Sequence, residues 1–193
     1  MNNIEQQALE YAAGAHASVN QHRKYSGLPY IVHPQAVANI LKKAGERDPA
    51  IIAASYMHDV LEDVTPLNPD YSAQSIEDLF GHRILLLVKE LTDEYTPTKH
   101  PTLNRGMRKT MEAMRLSNVS FGAIKIKLAD LIDNTSDIAK HDKGFAQVYI
   151  QEKERILEGM STKIGLSTDP VLTKLYHMAL AQLHKHMEAL GSS

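Results

Sequence analysis

The sequence predicts an all-α protein, a bundle of about eight to ten helices. Three observations predict it. Apolar residues recur at helical spacing through most of the chain. Short stretches of Gly, Pro, Ser and Asn punctuate them. The one apolar run short enough for a strand, Ile84-Leu85-Leu86-Leu87-Val88, has helical flanks and no partner strand. With 193 residues, 43% hydrophobic and 23% charged, the chain fits a single domain over 1–193 with a sizeable core.

Residues 4–20 are Ala-rich, with Ile4, Leu9, Ala12, Ala13 and Val19, and predict a first helix that packs closely. His16 on it reads as structural. The next stretch, from Gln21 to Tyr30, holds Ser26, Gly27 and Pro29 and is a loop. Arg23 and Lys24 in it are either solvated or contact an anion or nucleotide, with Arg23 stacking on a base or binding phosphate. Pro34 suits the first turn of a helix through Ile40 and Leu41, which Gly45 stops. His33 thereby sits at a helix entrance.

Asp48 caps the next helix and Pro49 fits its first position. This apolar run carries Met57-His58-Asp59-Val60-Leu61-Glu62-Asp63 and ends near Pro66. On a regular helix the pairs His58/Glu62 and Asp59/Asp63, each four apart, share a face. Burying four such groups is costly without compensation, which a divalent metal with bound water supplies.

Ser72 caps a short helix to Phe80, stopped by Gly81, and a buried helix follows to Thr92. Residues 93–101 break structure with Pro97 and Pro101. Residues 102–116 carry Arg105, Arg108, Lys109 and Arg115, with Met107, Met111 and Met114 as a stripe that reads as core. Residues 119–134 are apolar nearly throughout, a central buried helix interrupted by Asp130, Asp133 and Asn134. Asp130 and Asn134 share a face, and an acid there needs a partner. An amphipathic helix is expected over 145–159, broken between Gly159 and Gly165, and a last helix runs from Asp169-Pro170 to Leu190. Its His177, His184 and His186 read as surface residues.

Several function classes are excluded. The net charge of −2 gives no basic field for nucleic acid. The absence of cysteine removes disulfides, thiolate catalysis and Cys-based zinc sites. The N-terminus lacks the features of a signal peptide, and no apolar run reaches the ~18 residues of a membrane span. The expectation is a cytoplasmic protein with neither nucleic-acid nor membrane partner.

Assembled, the pattern is His33, then His58-Asp59, then Asp130. Two imidazoles and two carboxylates suit Mn²⁺, Fe²⁺, Co²⁺ or Zn²⁺ and leave coordination positions open for water and substrate. This arrangement resembles the HD superfamily of metal-dependent phosphohydrolases. The segments Arg23 to Pro34, His58 to Asp63, Phe80-Gly81, Glu90 to Thr92, Lys127 to Asp130 and Asn134 are similar, in order and spacing, to the hydrolase domain of the RelA/SpoT family. The resemblance covers about residues 5–160, with 168–190 a C-terminal helix beyond it. It is to the stand-alone small alarmone hydrolases of the metazoan SpoT-homologue type.

The resemblance implies an HD-domain helical bundle and a hydrolase of the 3′-pyrophosphate of guanosine alarmones. The products of (p)ppGpp are then GDP or GTP and pyrophosphate, usually with Mn²⁺ and with other divalent metals as alternatives. It implies metal ligation by His33, His58, Asp59 and Asp130, and water activation by Glu62 and Asp63. Substrate contacts fall to Arg23, Lys24, Ser26, Asn134 and Tyr149. Lys99, Arg105 and Lys109 are candidates for the distal phosphates. A homodimer is compatible with it. The chain departs from the family pattern at Leu131, Asp133 and Phe145, the last near a phosphate-binding arginine of some relatives, and its loop after Asp63 is longer. These departures spare the metal and water residues and widen the substrate choice to ppApp, NADPH or simple nucleotides. The other reading is a non-catalytic alarmone binder.

Overall fold

The computed structural model describes residues 3–141 and 143–191, so Met1 and Asn2 of the N-terminus lie outside it. Nine α-helices and one π-helical turn make up the regular structure of these residues, and no β-strand occurs among them. The chain divides into two compact units, Met1–Thr92 and Asp93–Ser193.

The first unit contains α1 (Asn3–Ser18), α2 (Val32–Ala44), α3 (Pro49–Met57), α4 (Ala73–Phe80) and α5 (His82–Leu91). Helix α3 is its axis, packing against α1, α2 and α5, while α4 packs against α5. The sequence explains this. Every residue of α3 from Ile51 to Met57 is buried, so an all-round apolar helix has neighbours on each side. Ala8, Ala12 and Ala15 of α1 are completely buried, and their small side chains let the backbones approach. The expected caps are in place. Asp48 accepts a hydrogen bond from the Ala50 N–H at 3.0 Å, and Ser72 forms a capping box with Ser75. Gly45 ends α2 at φ 114°, a left-handed conformation that costs a residue with a Cβ.

One difference concerns the His58–Asp63 stretch. The α-helix stops at Met57, and Val60–Val64 forms a π turn, with the Thr65 N–H bonded to the Val60 carbonyl at 3.0 Å. Asp59 occupies the hinge at φ −99°, ψ −4°. The α-type bond from the Asp63 N–H to the Asp59 carbonyl, 2.9 Å, is kept, and the turn widens over Val60–Val64.

The second unit contains α6 (Arg105–Leu116), α7 (Phe121–His141), α8 (Lys143–Gly165) and α9 (Pro170–Gly191). Here α8 packs against α6, α7 and α9, and α7 packs against α9. Ile124, Leu128, Leu131, Leu157, Met160, Leu172 and Leu175 are among its buried residues. Two expectations fail here. Helix α8 runs through Gly159 to Gly165 without a break. A glycine costs a helix only about 1 kcal/mol, and the flanking Ile156, Leu157, Met160 and Ile164 are all buried. The methionine stripe of α6 is not core either. Met107 and Met114 are 50% and 65% exposed, because the helix buries Glu112, Ala113 and Leu116 instead. The buried Glu112 carboxylate accepts from the Glu94 and Tyr95 N–H groups at 3.1 and 3.0 Å and pairs with Arg115 at 2.5 Å. It ties the irregular segment after Thr92 to α6.

Candidate active site

The first unit gathers two histidines and two carboxylates around the end of α3. His33, in the first turn of α2, and His58, which follows the last residue of α3, are both buried. Their ring centroids lie 5.2 Å apart. Each offers a ring nitrogen within 4.8 Å of the other's. Asp59 Oδ2 is 3.2 Å from His58 Nε2 and 3.6 Å from His33 Nε2. The Tyr30 hydroxyl donates to the same Asp59 oxygen at 2.7 Å.

Hydrogen-bond directions then test whether a cation fits. His58 Nδ1 lies 2.9 Å from the Ser55 carbonyl oxygen, an acceptor, so Nδ1 carries the proton. In a neutral His58 the Nε2 lone pair therefore faces the Asp59 carboxylate. Two acceptors at 3.2 Å repel unless a cation lies by them, either a proton on the ring or a metal. The donor set fits a divalent transition metal, and the Nδ1–H to carbonyl bond is the usual way of aiming such a ligand.

Asp63 sits one turn further and is half-buried. Its Oδ2 accepts from Gln21 Nε2 at 2.8 Å. Gln21 Oε1 in turn lies 2.6 Å from His16 Nδ1. Because the Gln21 amide nitrogen is committed to a carboxylate, its oxygen must accept, and His16 donates from Nδ1. Burial holds His16 below the usual histidine range, which keeps it neutral and consistent with this direction. The His16 ring packs against Tyr30 at 4.7 Å. Burial, and then the Asp59 charge, push the Asp63 carboxyl up to about 6, with the Gln21 bond opposing. Glu62, beside it, is exposed. A carboxylate raised toward neutrality is a better proton acceptor than an ordinary aspartate.

Arg23, Lys24 and Ser26 lie on the loop between α1 and α2. His22 and Pro29 form an isolated β-bridge across it, and the Arg23 N–H donates to the Leu28 carbonyl at 2.9 Å. Gly27 turns the tip at φ 68°. Lys24 reaches the Tyr25 hydroxyl at 3.2 Å. Arg23 is half-buried, whereas Lys24 and Ser26 are exposed.

In the second unit, Asp130 is a buried acid of α7, as expected. Lys127 Nζ lies 2.8 Å from its Oδ2, and Asn134 Nδ2 donates to its Oδ1 at 2.5 Å. Residues three before and four after it thus hold one carboxylate in place. Tyr149 is buried on α8 and carries the Lys153 ammonium over its ring at 4.7 Å. The candidate phosphate cations are already paired. Arg105 forks onto both Glu152 oxygens at 2.9 Å and lies over the Phe145 ring. Lys99 pairs with Glu94 at 2.9 Å, and Lys109 lies 3.4 Å from Asp93. His177 and His184 are exposed, as expected, and His186 is half-buried beside Gln182.

Read as a sequence, the chain assigns no role to Tyr30 or Gln21 and marks His16 only as structural. The first two are common residue types in ordinary positions. Only folding α1 and the following loop onto the end of α3 brings Gln21 to Asp63, 42 positions away.

An all-α fold with a His-Asp pair at the end of a buried helix, aimed by a carbonyl and a tyrosine, defines one class of protein, and the family model for the HD domain matches residues 8–167. The chain belongs to the HD-domain family. It is similar to the human guanosine-3′,5′-bis(diphosphate) 3′-pyrophosphohydrolase MESH1, 34% identical over 149 residues, 76% of each chain. The Xenopus tropicalis protein of that name is 30% identical over 91% of this chain and 93% of its own. Among solved structures, a metazoan ortholog of SpoT that hydrolyses ppGpp superposes with a TM-score of 0.73 at 26% identity, covering 92% of this chain and 94% of that one. No helix among the described residues is long and apolar enough to cross a membrane.

Proposed function

We propose that the protein hydrolyses the 3′-pyrophosphate of guanosine alarmones, (p)ppGpp, with Mn²⁺ as its metal. The observation that carries this reading is the convergence of His33, His58 and Tyr30 on Asp59, one turn from a carboxylate raised to about 6. The relatives support the substrate: the human and frog proteins are named as hydrolases of that bond.

His33, His58 and Asp59 would hold the metal, with Asp130 of the second unit as the fourth ligand. When bound, the metal polarises a phosphoryl oxygen and makes water more acidic. Two nitrogens and two carboxylates match Mn²⁺ better than an all-sulfur set would. Ser55 and Tyr30 orient His58 and Asp59, and Lys127 and Asn134 orient Asp130. Gln21 occupies Asp63 Oδ2, which leaves Oδ1 to take the proton of the attacking water. Glu62 assists from the exposed side. Water oxygen forms the new bond to phosphorus, the bond from phosphorus to the ribose 3′ oxygen breaks, and that oxygen leaves with a proton as the nucleoside hydroxyl. Pyrophosphate is the other product. Arg23 stacks on the guanine, and Lys24, Ser26, Asn134 and Tyr149 line the nucleotide.

The test is incubation of purified protein with Mn²⁺ and ppGpp, followed by chromatography of the products. GDP and pyrophosphate are expected in equal amounts. Orthophosphate as product, or binding without turnover by folded, metal-replete protein, contradicts the reading. Parallel assays with ppApp and NADPH rank the base preference, and the guanine substrate is expected to give the highest kcat/KM.

A further inference from the structure

His16 lies in the last turn of α1 and is only 1% exposed. Its Nε2 is buried and has no hydrogen-bond partner among the described residues. A position that needed only packing could hold Leu or Phe and bury no polar atom without a partner. What the imidazole adds is Nδ1, which lies 2.6 Å from Gln21 Oε1.

Gln21 is held at all four of its polar groups. Its backbone N–H donates to the His16 carbonyl at 3.0 Å, and its carbonyl accepts from the Tyr30 N–H at 3.1 Å. Its Nε2 donates to Asp63 Oδ2 at 2.8 Å, and its Oε1 faces His16. Tyr30, whose ring packs on His16, donates its hydroxyl to Asp59. The junction between α1 and the following loop therefore braces two carboxylates of the site, Asp59 through Tyr30 and Asp63 through Gln21.

An amide side chain can be turned end for end unless its neighbours forbid it. Here both do. The Asp63 carboxylate only accepts, so it requires the NH₂ end of Gln21. Were the amide turned, His16 would accept at Nδ1 and carry its proton on Nε2. No acceptor faces Nε2 among the described residues, and a buried N–H without a partner is costly. Histidine at position 16 thus holds the amide in the one orientation that serves Asp63.

We propose that His16, acting through Gln21, is a positioning residue that fixes the Asp63 carboxylate in the direction from which it takes the proton of water. The proposal rests on the reading of Asp63 as the base of a phosphohydrolase. The last torsion of an aspartate is broad, so an untied carboxylate samples many directions. With Oδ2 tied to Gln21, Oδ1 keeps one. The Gln21 side chain stands between His16 and Asp63, so His16 affects the chemical step rather than the binding of metal or nucleotide.

The experiment uses the full chain as wild type, His16→Phe, Gln21→Met, Asp63→Asn and the double variant Gln21→Met with Asp63→Asn. Phenylalanine keeps a ring against Tyr30 and removes the nitrogens. With ppGpp and saturating Mn²⁺, kcat should fall about 10–100-fold in Gln21→Met and about tenfold in His16→Phe. KM and Mn²⁺ affinity should stay within about threefold of wild type. In the Asp63→Asn background, Gln21→Met should change kcat less than about threefold, because its effect passes through the lost base. Unchanged kcat in folded His16→Phe overturns the proposal. So do losses that multiply in the double variant, or Mn²⁺ affinity falling together with kcat, which mark a merely structural role. If His16→Phe does not fold, Gln21→Met and the double variant decide by the same criteria. A readout apart from activity is the ring tautomer, read by ¹⁵N NMR of histidine-labelled protein. His16 is expected to carry its proton on Nδ1 in wild type and to lose that preference in Gln21→Met. A proton on Nε2 in wild type overturns the proposal. If the tautomer behaves as expected and wild type hydrolyses no alarmone, the positioning of Asp63 stands and the hydrolase reading falls.

Discussion

Asp59→Ala is expected to lose both metal and turnover. Asp59 Oδ2 is the oxygen on which His33, His58 and Tyr30 all converge. Removing it takes away the carboxylate that both buried imidazoles and the phenol face. Metal catalysis is worth several kcal/mol, so kcat/KM should fall on the order of 10³-fold or more. Metal analysis of the purified variant should show the ion missing at Mn²⁺ concentrations that saturate wild type. Tyr30→Phe makes the informative contrast. It keeps the carboxylate and removes only the hydroxyl that aims it, so metal affinity should drop about 10–100-fold. Excess Mn²⁺ should then restore most of the turnover, which it cannot do for Asp59→Ala. A variant Asp59→Ala that still binds Mn²⁺ stoichiometrically would remove Asp59 from the ligand set.

The second large effect separates metal binding from water activation. Asp63→Asn keeps the shape of the side chain and its bond from Gln21, but it cannot take a proton. Turnover should fall roughly 10²–10⁴-fold, the usual worth of a positioned base, with metal still bound. The same substitution should make the metal-free protein more stable at neutral pH. In the folded chain the Asp63 carboxyl is raised to about 6 by burial and by Asp59, above its unfolded value. The native state then holds its proton more tightly than the unfolded state does, so ionising Asp63 costs stability as pH rises from about 4 to 6. Asparagine avoids that cost. Thermal melts of wild type and Asp63→Asn in chelator should coincide near pH 4 and diverge by pH 7, the variant melting higher. Equal melting temperatures at pH 7 would show that Asp63 is not strained by its surroundings. Stability surrendered at a reacting carboxylate is a frequent cost of function.

Most of the architecture could be read from the residues. Asp48-Pro49, Ser72 and Gly45 mark helix ends by local chemistry, and local chemistry survives folding. The apolar run from Ile84 to Val88, short enough for a strand, is helical within α5, as its flanks required. Three features were not legible, each for a physical reason. The π turn at Val60–Val64 depends on where the chain after α3 must go, which pattern alone does not specify. The exposure of Met107 and Met114 reflects which face of α6 finds a neighbour, and Glu112 with its three partners determines that face. The continuation of α8 through Gly159 shows buried neighbours overriding a weak local preference.

The candidate site divides in the same way. His33, His58, Asp59, Glu62, Asp63 and Asp130 stand out because such groups are costly inside apolar helices. The residues that aim them do not stand out. Tyr30, Gln21 and His16 become meaningful only through contacts at 2.7, 2.8 and 2.6 Å with partners up to 42 positions away.

In the proposed mechanism water, activated at a metal-dependent carboxylate site, attacks phosphorus and releases pyrophosphate whole. Turnover of ppGpp in ¹⁸O-enriched water, with chelated protein before and after Mn²⁺ is restored, tests it most directly. No reaction is expected without metal and, once Mn²⁺ is present, one ¹⁸O in each pyrophosphate and none in GDP. Label in the nucleotide, orthophosphate in place of pyrophosphate, or undiminished turnover in chelator would contradict it.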